Sequence, residues 1–221
     1  MIMKKSGFRL LIAALLFPLF FAGCEQDTVE ETVDIVVYET LLSPLNTEAN
    51  NGMETRGSFT FTQRDDTVIV VGEVNDAYPG IMHLMHLHGF EDGSEAQCAP
   101  DEADKNDDGV IDLIETRDYS GITMIPLHSE PVTLEIHNES YPIADNRGNM
   151  RYEGRFMKSD LDAAVKEKFG IDTVNFNNFV LYVHGVAEDT TLAESVQSLP
   201  DVPANITIPI SCGELEQIQT K

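Results

Sequence analysis

The sequence predicts a mostly β protein, a β-sandwich or β-barrel with long inserted loops and one short helix. Two observations predict this class. Several short segments either alternate apolar and polar residues or are rich in β-branched residues, and turn-forming residues separate them. By contrast, one segment alone, residues 159–170, stands out as an amphipathic helix. Such a chain buries its core between packed strands.

The first predicted elements form a hairpin. The alternating segment "SFTFTQ" (58–63) is followed by "RDD" (64–66), which predicts a turn, and then by the β-rich segment "TVIVVGEV" (67–74). A second turn, "DAYPG" (76–80), leads to the next strand. The further predicted strands are "IMHLMHLHGF" (81–90), "VTLEIH" (132–137), "FVLYVHGV" (179–186) and "ANITIPIS" (204–211). Pro209 limits the last of these to a sheet edge or a bulge.

The predicted helix has recognisable start and end signals. In "SDLDAAVKEKFG", Ser159 is the expected N-terminal cap and Gly170 the expected end. Its apolar side comes from residues spaced three and four apart, namely Leu161, Ala164, Val165 and the stem of Lys168.

The N-terminus predicts export and a lipid anchor. Lys4, Lys5 and Arg9 precede the apolar run "LLIAALLFPLFFAG", which is the layout of a secretory signal over residues 1–23. The ending "FAGC" resembles a bacterial lipobox, which implies that Cys24 becomes the lipidated first residue. The alternative is an uncleaved membrane anchor, for which the run is short.

The charge excludes several partners. The chain has 14 basic and 38 acidic residues, for a net charge of −24, and loss of residues 1–23 would leave −27. Nucleic acid and anionic membrane surfaces repel such a protein, so the lipid would hold it in the bacterial cell envelope, facing the periplasm or the outside. We expect an acidic tether over residues 24–55, with "VDIVVYETLL" as a short strand or helix within it, and the β domain over residues 56–216.

Two further cysteines, Cys98 and Cys212, remain after Cys24. An isolated pair outside the cytoplasm usually forms a disulfide, and the alternative is two unrelated buried thiols.

Histidines on one predicted strand indicate a metal site. Side chains two apart share a face of a strand, so His86 and His88 point one way and His83 the other. His184, on another predicted strand, can supply a third ring. Three imidazoles favour copper or zinc. The alternative is that these histidines make ordinary polar contacts.

These landmarks resemble the copper/zinc superoxide dismutase family. "GSFTFTQRDDTVIVVGEVNDAYPGIMHLMHLH" resembles its N-terminal half, "VLYVHG" the strand of its last copper histidine, and "ISCGEL" its C-terminal end. The resemblance implies a Greek-key β-sandwich or barrel, a disulfide between Cys98 and Cys212, and dismutation of a small anion, superoxide. It also implies that copper is bound by His86, His88 and His184, while His83 supports the site without binding.

The chain departs from that family in its zinc region. No histidine follows Cys98 until His128, although His128 or His137 could serve as an additional ligand. "ADNRGN" (144–149) resembles the end of the zinc loop and places Asp145 near a zinc-ligand aspartate. The histidine expected just before it is absent, which argues against a normal zinc site.

A second departure concerns the substrate. The family has an arginine that attracts superoxide three residues before the final cysteine, and Pro209 stands there in this chain. A guanidinium attracts an anion, whereas a proline ring cannot.

Residues 104–115, "DKNDDGVIDLIE", match the pattern of an EF-hand calcium loop, which predicts a structural calcium ion; the alternative is a solvated acidic loop. The predicted ligands are Asp104, Asn106, Asp108, the carbonyl of Val110, Asp112 and Glu115.

Three functions are therefore open. The first is a copper-dependent, superoxide dismutase-like enzyme outside the cytoplasm. The second is a copper-binding or sequestering lipoprotein on the same fold, and the third is a purely structural β-sandwich surface lipoprotein.

Overall fold

The computed structural model describes residues 34–220, except for the side chains of residues 219 and 220. The predicted signal segment, Cys24 and the start of the predicted tether lie outside the described residues. Within the described part of the chain, no helix is long and apolar enough to cross a membrane.

The described residues form a mostly β protein, which confirms the predicted class. The strands are β1 Ile35–Pro44, β2 Arg56–Arg64, β3 Thr67–Asn75, β4 Leu84–Gly89, β5 Ile122–Pro126, β6 Met150–Met157, β7 Val180–His184, β8 Pro209–Glu214 and β9 Glu216–Thr220. The helices are α1 Arg117–Ser120, α2 Lys158–Phe169 and α3 Ala204–Thr207. The strands form one antiparallel sheet in the order β5-β4-β7-β8-β1-β2-β3-β6, and β9 pairs with β1.

The sheet encloses one principal core. Phe59 and Val70, from the β2–β3 end, belong to the same apolar cluster as Leu87 and Leu181, from the β4–β7 end. Strands far apart in the sheet order share this cluster, so the sheet curls around it. The predicted β2–β3 hairpin is confirmed, with paired residues from Arg56 and Asn75 to Arg64 and Thr67.

Residues 35–44 lie within the stretch expected to be mainly a tether, and they form β1 in the interior of the sheet order, which is the strand alternative given for "VDIVVYETLL". Tyr38, Thr40 and Leu42 are buried on one face of β1, while Glu39 and Leu41 are exposed on the other. This alternation is that of a strand with one face on the core, which is why the described chain departs from a tether here.

Helix α2 is confirmed at its C-terminal end and corrected at its start. Gly170 ends the helix in the left-handed conformation, with φ of 80°. Ser159 does not cap it, because Lys158 and Ser159 already lie within the helix. Instead, Asp66 accepts hydrogen bonds from the amide and hydroxyl of Ser159 at 2.8 and 2.6 Å, which lower the pKa of Asp66.

The predicted strand over residues 132–137 is wrong. Pro131–Thr133 form a 3-10 turn, and Leu134 takes a left-handed conformation with φ of 52°. The turn places the Leu134 side chain in the core, and Lys168 donates a hydrogen bond to its carbonyl at 2.6 Å. Tertiary packing therefore overrides the β propensity of this segment.

The last predicted strand is confirmed only in its second half. Ala204–Thr207 form a helical turn, and β8 begins at Pro209. The register shifts where Pro209 faces His184, which confirms the expected bulge.

The disulfide between Cys98 and Cys212 is confirmed, with a sequence separation of 114 residues. It joins the segment after β4 to β8, next to Val180 and Tyr182 of β7.

We predict that the double variant Cys98→Ala/Cys212→Ala has a lower free energy of unfolding. A bridge that closes a loop of this length stabilises a fold by at most on the order of 4–5 kcal/mol through the entropy of the unfolded chain. Denaturant unfolding of the wild type, with and without reductant, measures the effect. Reduced wild type should match the variant, and an unchanged unfolding midpoint in both would contradict the prediction.

Candidate metal centre

Strands β4 and β7 separate apolar from imidazole side chains. They pair antiparallel, with Leu84 opposite His184 and His88 opposite Val180. Met85 and Leu87 of β4 belong to the principal core. Because side chains alternate along a strand, His86 and His88 lie on the opposite face of β4.

The structure brings His86, His88 and His184 into one group. One ring nitrogen from each lies within 4.8 Å of those of the other two. The ring centroids are 5.3 Å apart for His86 and His184, and 5.4 Å for His88 and His184. All three residues are almost completely buried, with 3, 1 and 2% exposure respectively. A spacing this short allows one ion to contact all three rings.

The hydrogen bonds leave nitrogens free to bind an ion. Nδ1 of His184 lies 2.8 Å from the carbonyl of Thr207, and Nε2 of His88 lies 3.2 Å from Oγ1 of Thr123. Among the described residues, Nε2 of His184, Nδ1 of His88 and both ring nitrogens of His86 have no hydrogen-bond partner. Buried polar atoms without partners are costly, and a bound metal ion would satisfy them. The donor set therefore fits copper or zinc.

Burial keeps these rings neutral. It lowers the pKa of His184 to about 4, against a smaller opposing effect of the Thr207 carbonyl. It lowers the pKa of His86 and His88 well below the ordinary value, and His184 nearby lowers both further. The neutral imidazole is the form that binds metal, so the site favours the binding state.

His83 supports the backbone of this group. Its Nδ1 lies 3.0 Å from the carbonyl of His184, and its Nε2 lies 2.9 Å from the carbonyl of Tyr78. His83 is fully buried and is not one of the grouped histidines. A ring in this position fixes the end of β7, and support of a bound metal by His83 stays what the resemblance implies.

Two tyrosines at the site were not predicted. The ring of Tyr141 packs edge-on against His86 at 5.4 Å, and the ring of Tyr182 packs against His88 at 4.8 Å. Burial raises the pKa of both phenols. Tyr182 lies two residues before His184 on one strand, so alternation could have found it; Tyr141 lies in a loop, and no pattern in the sequence marks it.

The other predicted ligands are differently placed. Nε2 of His128 donates to the carbonyl of Glu135 at 2.7 Å, and its Nδ1 accepts from the amide of Glu130 at 3.0 Å. Both of its ring nitrogens are therefore engaged within the protein, and a ligand role for His128 stays a prediction. Asp145 is exposed, and its carboxylate accepts backbone hydrogen bonds within its own turn. His137 is exposed and lines a cavity of about 400 Å³ in front of His86 and His184.

The acidic segment 104–115 forms a folded loop. The carboxylate of Asp104 accepts the amides of Asp108 and Gly109 at 3.1 and 2.9 Å. The Glu115 carboxylate accepts the amides of Lys105 and Asp112, both at 3.0 Å. These bonds join residues of the loop to one another and do not test whether it binds an ion. Calcium binding therefore stays a prediction.

The same loop is bonded to a segment beside the cavity. Asp108 accepts from the hydroxyl of Ser195, and Asp112 accepts from the amide of Gln197, both at 2.6 Å. Asp112 is fully buried. Leu113, between the predicted ligands, lines the cavity itself.

No protein-family model and no curated protein matches the chain. Among solved structures, a point mutant of an SOD-like protein from Bacillus subtilis matches with a TM-score of 0.40 and 14% identity, over 80% of this chain and 95% of that one. At this level of similarity, the functional assignment rests on the geometry of the chain's own site.

We predict that the metal-free protein loses stability as the pH falls from 7 to 5.5. In the unfolded chain His86, His88 and His184 take up protons near pH 6.5, whereas burial lowers the pKa of each in the folded chain, so each of the three costs about 1 kcal/mol over this range. Thermal or denaturant unfolding in the presence of a chelator measures the change. The variant His184→Gln should show a smaller loss and the exposed control His137→Gln the wild-type loss; equal losses in all three proteins would contradict the assignment.

Proposed function

We propose that this chain is a copper-binding protein in which His86, His88 and His184 hold the ion. The observation that carries the proposal is the set of buried ring nitrogens without protein partners on these three side chains. When bound, copper would supply the one-electron oxidation and reduction that superoxide dismutation needs.

The remaining residues orient the three rings. The Thr207 carbonyl accepts the proton of His184 Nδ1, which leaves the Nε2 lone pair for the ion. Thr123 contacts Nε2 of His88, whose Nδ1 is then the free nitrogen. His83 holds the carbonyl of His184 and thereby the end of β7. We assign the ligands of the three-histidine site by this hydrogen bonding. We propose no separate zinc site, because His128 and Asp145 are engaged in hydrogen bonds elsewhere.

The proposed copper site leaves two candidate functions, a superoxide dismutase-like enzyme and a non-catalytic copper-binding or sequestering protein. Pro209 is buried where the resemblance calls for an arginine. Among the described residues, the cavity in front of the site is lined by Glu139 and Asp201 and by no lysine or arginine. An anion would therefore approach against a negative field, which favours copper binding over rapid turnover of superoxide.

We further propose that the protein is held in the bacterial cell envelope by a lipid on Cys24. The support is the cationic start, the apolar run and the "FAGC" ending of residues 1–24. A structural surface lipoprotein shares this anchor, but it would not need the buried histidine group.

We predict that the wild type binds one copper ion at this site and that His86→Ala and His184→Ala abolish uptake. The protein has no tryptophan, and Tyr182 packs against His88, so tyrosine fluorescence should be quenched as copper binds. Metal analysis and electron paramagnetic resonance count and identify the bound ion. The control His137→Ala should retain one copper, and circular dichroism checks that each variant is folded.

A superoxide assay on the copper-loaded protein separates the candidates. Activity that His86→Ala removes supports the enzyme, and bound copper without activity supports the sequestering protein. Absence of copper binding to the wild type leaves the structural lipoprotein.

We also predict that calcium raises the thermal stability of the metal-free protein by binding to residues 104–115. Bidentate binding by Glu115 is central to such a site, so Glu115→Gln should reduce the shift in melting temperature. Asp107→Asn is the matched control, because Asp107 occupies position four of the loop, which supplies no ligand, and its left-handed conformation, with φ of 56°, tolerates asparagine. A calcium titration without any shift in the wild type would remove this assignment.

A further inference from the structure

The cavity in front of the metal centre has mainly apolar walls. It measures about 400 Å³, and His86 and His184 form part of its surface. Most of the rest is aliphatic, including Met82, Leu84, Leu113, Ile136, Leu199 and Ile206. Its volume falls within the usual range of small-molecule sites, and it combines an apolar wall with a few polar groups. A dioxygen-sized anion would leave most of this wall without a contact.

The charges on the cavity wall have one sign. Glu139 and Asp201 line it and are exposed to solvent, and the part of the wall that the structure describes has no lysine or arginine. His137 also lines it. An anionic ligand would be repelled, whereas a cation would be attracted.

The part of the wall formed by residues 199–207 is held in a defined shape. The hydroxyls of Ser198 and Thr207 lie 2.9 Å apart, and the amide of Gln197 is bonded to buried Asp112. Within this segment, the amide of Val202 donates to the carbonyl of Leu199 at 3.1 Å. These bonds hold the backbone that carries Leu199 and Val202 in place before any ligand arrives, which favours binding.

We propose that this cavity binds an organic cation with an apolar body. The body packs against the aliphatic wall, and the positive charge faces Glu139 and Asp201. The site goes beyond the copper proposal and does not require the metal, because its apolar wall and its carboxylates belong to the chain itself. A ligand bound here covers His86 and His184 and so controls which molecules reach them.

Three probes that share a benzyl group test the charge preference. Benzyltrimethylammonium is the cation, benzyl alcohol the neutral probe and phenylmethanesulfonate the anion. Calorimetric titration of the metal-free protein should show binding of one ammonium ion per chain, benzyl alcohol about tenfold weaker and the sulfonate weaker still. Sulfonate binding as tight as that of the ammonium ion, or no binding of any probe, would overturn the proposal.

Two sets of variants assign the binding to this cavity. Glu139→Gln with Asp201→Asn should weaken ammonium binding about tenfold and leave benzyl alcohol unchanged; Asp201 has φ of 63°, which asparagine tolerates. Ile206→Trp should weaken both probes, because the larger ring fills the cavity from a partly exposed position. The matched control Asp65→Asn with Glu153→Gln changes exposed acids away from the cavity and should bind as the wild type does.

If neither set of variants alters binding, the cavity is not the site. Copper loading, followed separately by paramagnetic resonance, keeps the two proposals distinguishable. Failure to bind copper together with normal ammonium binding overturns only the copper site. Normal copper binding without ammonium binding overturns only the cation site.

Discussion

The pairing of β4 with β7 joins two chemically different surfaces across a single layer of sheet. One face supplies Met85, Leu87, Leu181 and Val183 to the principal core, and the other carries the three grouped imidazoles. A shift of either strand by one residue would place histidines in the core and aliphatic side chains at the site. The burial of the apolar face therefore fixes the register, and the register fixes the distances between the ring nitrogens. The geometry of the site follows from the energetics of the core.

Inserted segments cover the imidazole face and make it a low-dielectric site. The disulfide fixes the chain after β4 against β8. Beside it, the hydroxyl of Tyr182 accepts a hydrogen bond from the amide of Ala99 and shares one with the hydroxyl of Ser120. The acidic loop, residues 104–115, also contacts the segments over this face. Its Asp112 accepts a hydrogen bond from the amide of Gln197, and its Leu113 lines the cavity. A change in the conformation of this loop would therefore reach the cavity wall through directly bonded groups.

Strand alternation made much of this centre predictable from the sequence. Period-two spacing placed His86 and His88 on one face, and His184 on another β-rich segment was the natural third ring. The sequence could not give the partners of His128, because the carbonyl of Glu135 and the amide of Glu130 reach it only through a turn that breaks the predicted strand at 132–137. It offered β1 only as a short strand or helix within a tether, because the residues just before it are acidic, although β1 itself has one acidic residue, Glu39. The cap of α2 comes from Asp66, 93 residues away in sequence, so no local pattern could reveal it.

Electrostatics links the centre to the rest of the molecule. Three neutral imidazoles bring no negative charge to a bound cation. The charge of a divalent ion at this buried site is therefore not neutralised by its ligands. The net charge of −24 and the carboxylates of Glu139 and Asp201 compensate for it from a distance and raise the local concentration of cations. Salt screens exposed charges beyond about 8 Å, so the two carboxylates at the cavity matter more than the distant acidic surface. The same field that favours capture of a metal ion opposes the approach of an anion, and this asymmetry is the physical reason for placing binding ahead of turnover in this chain.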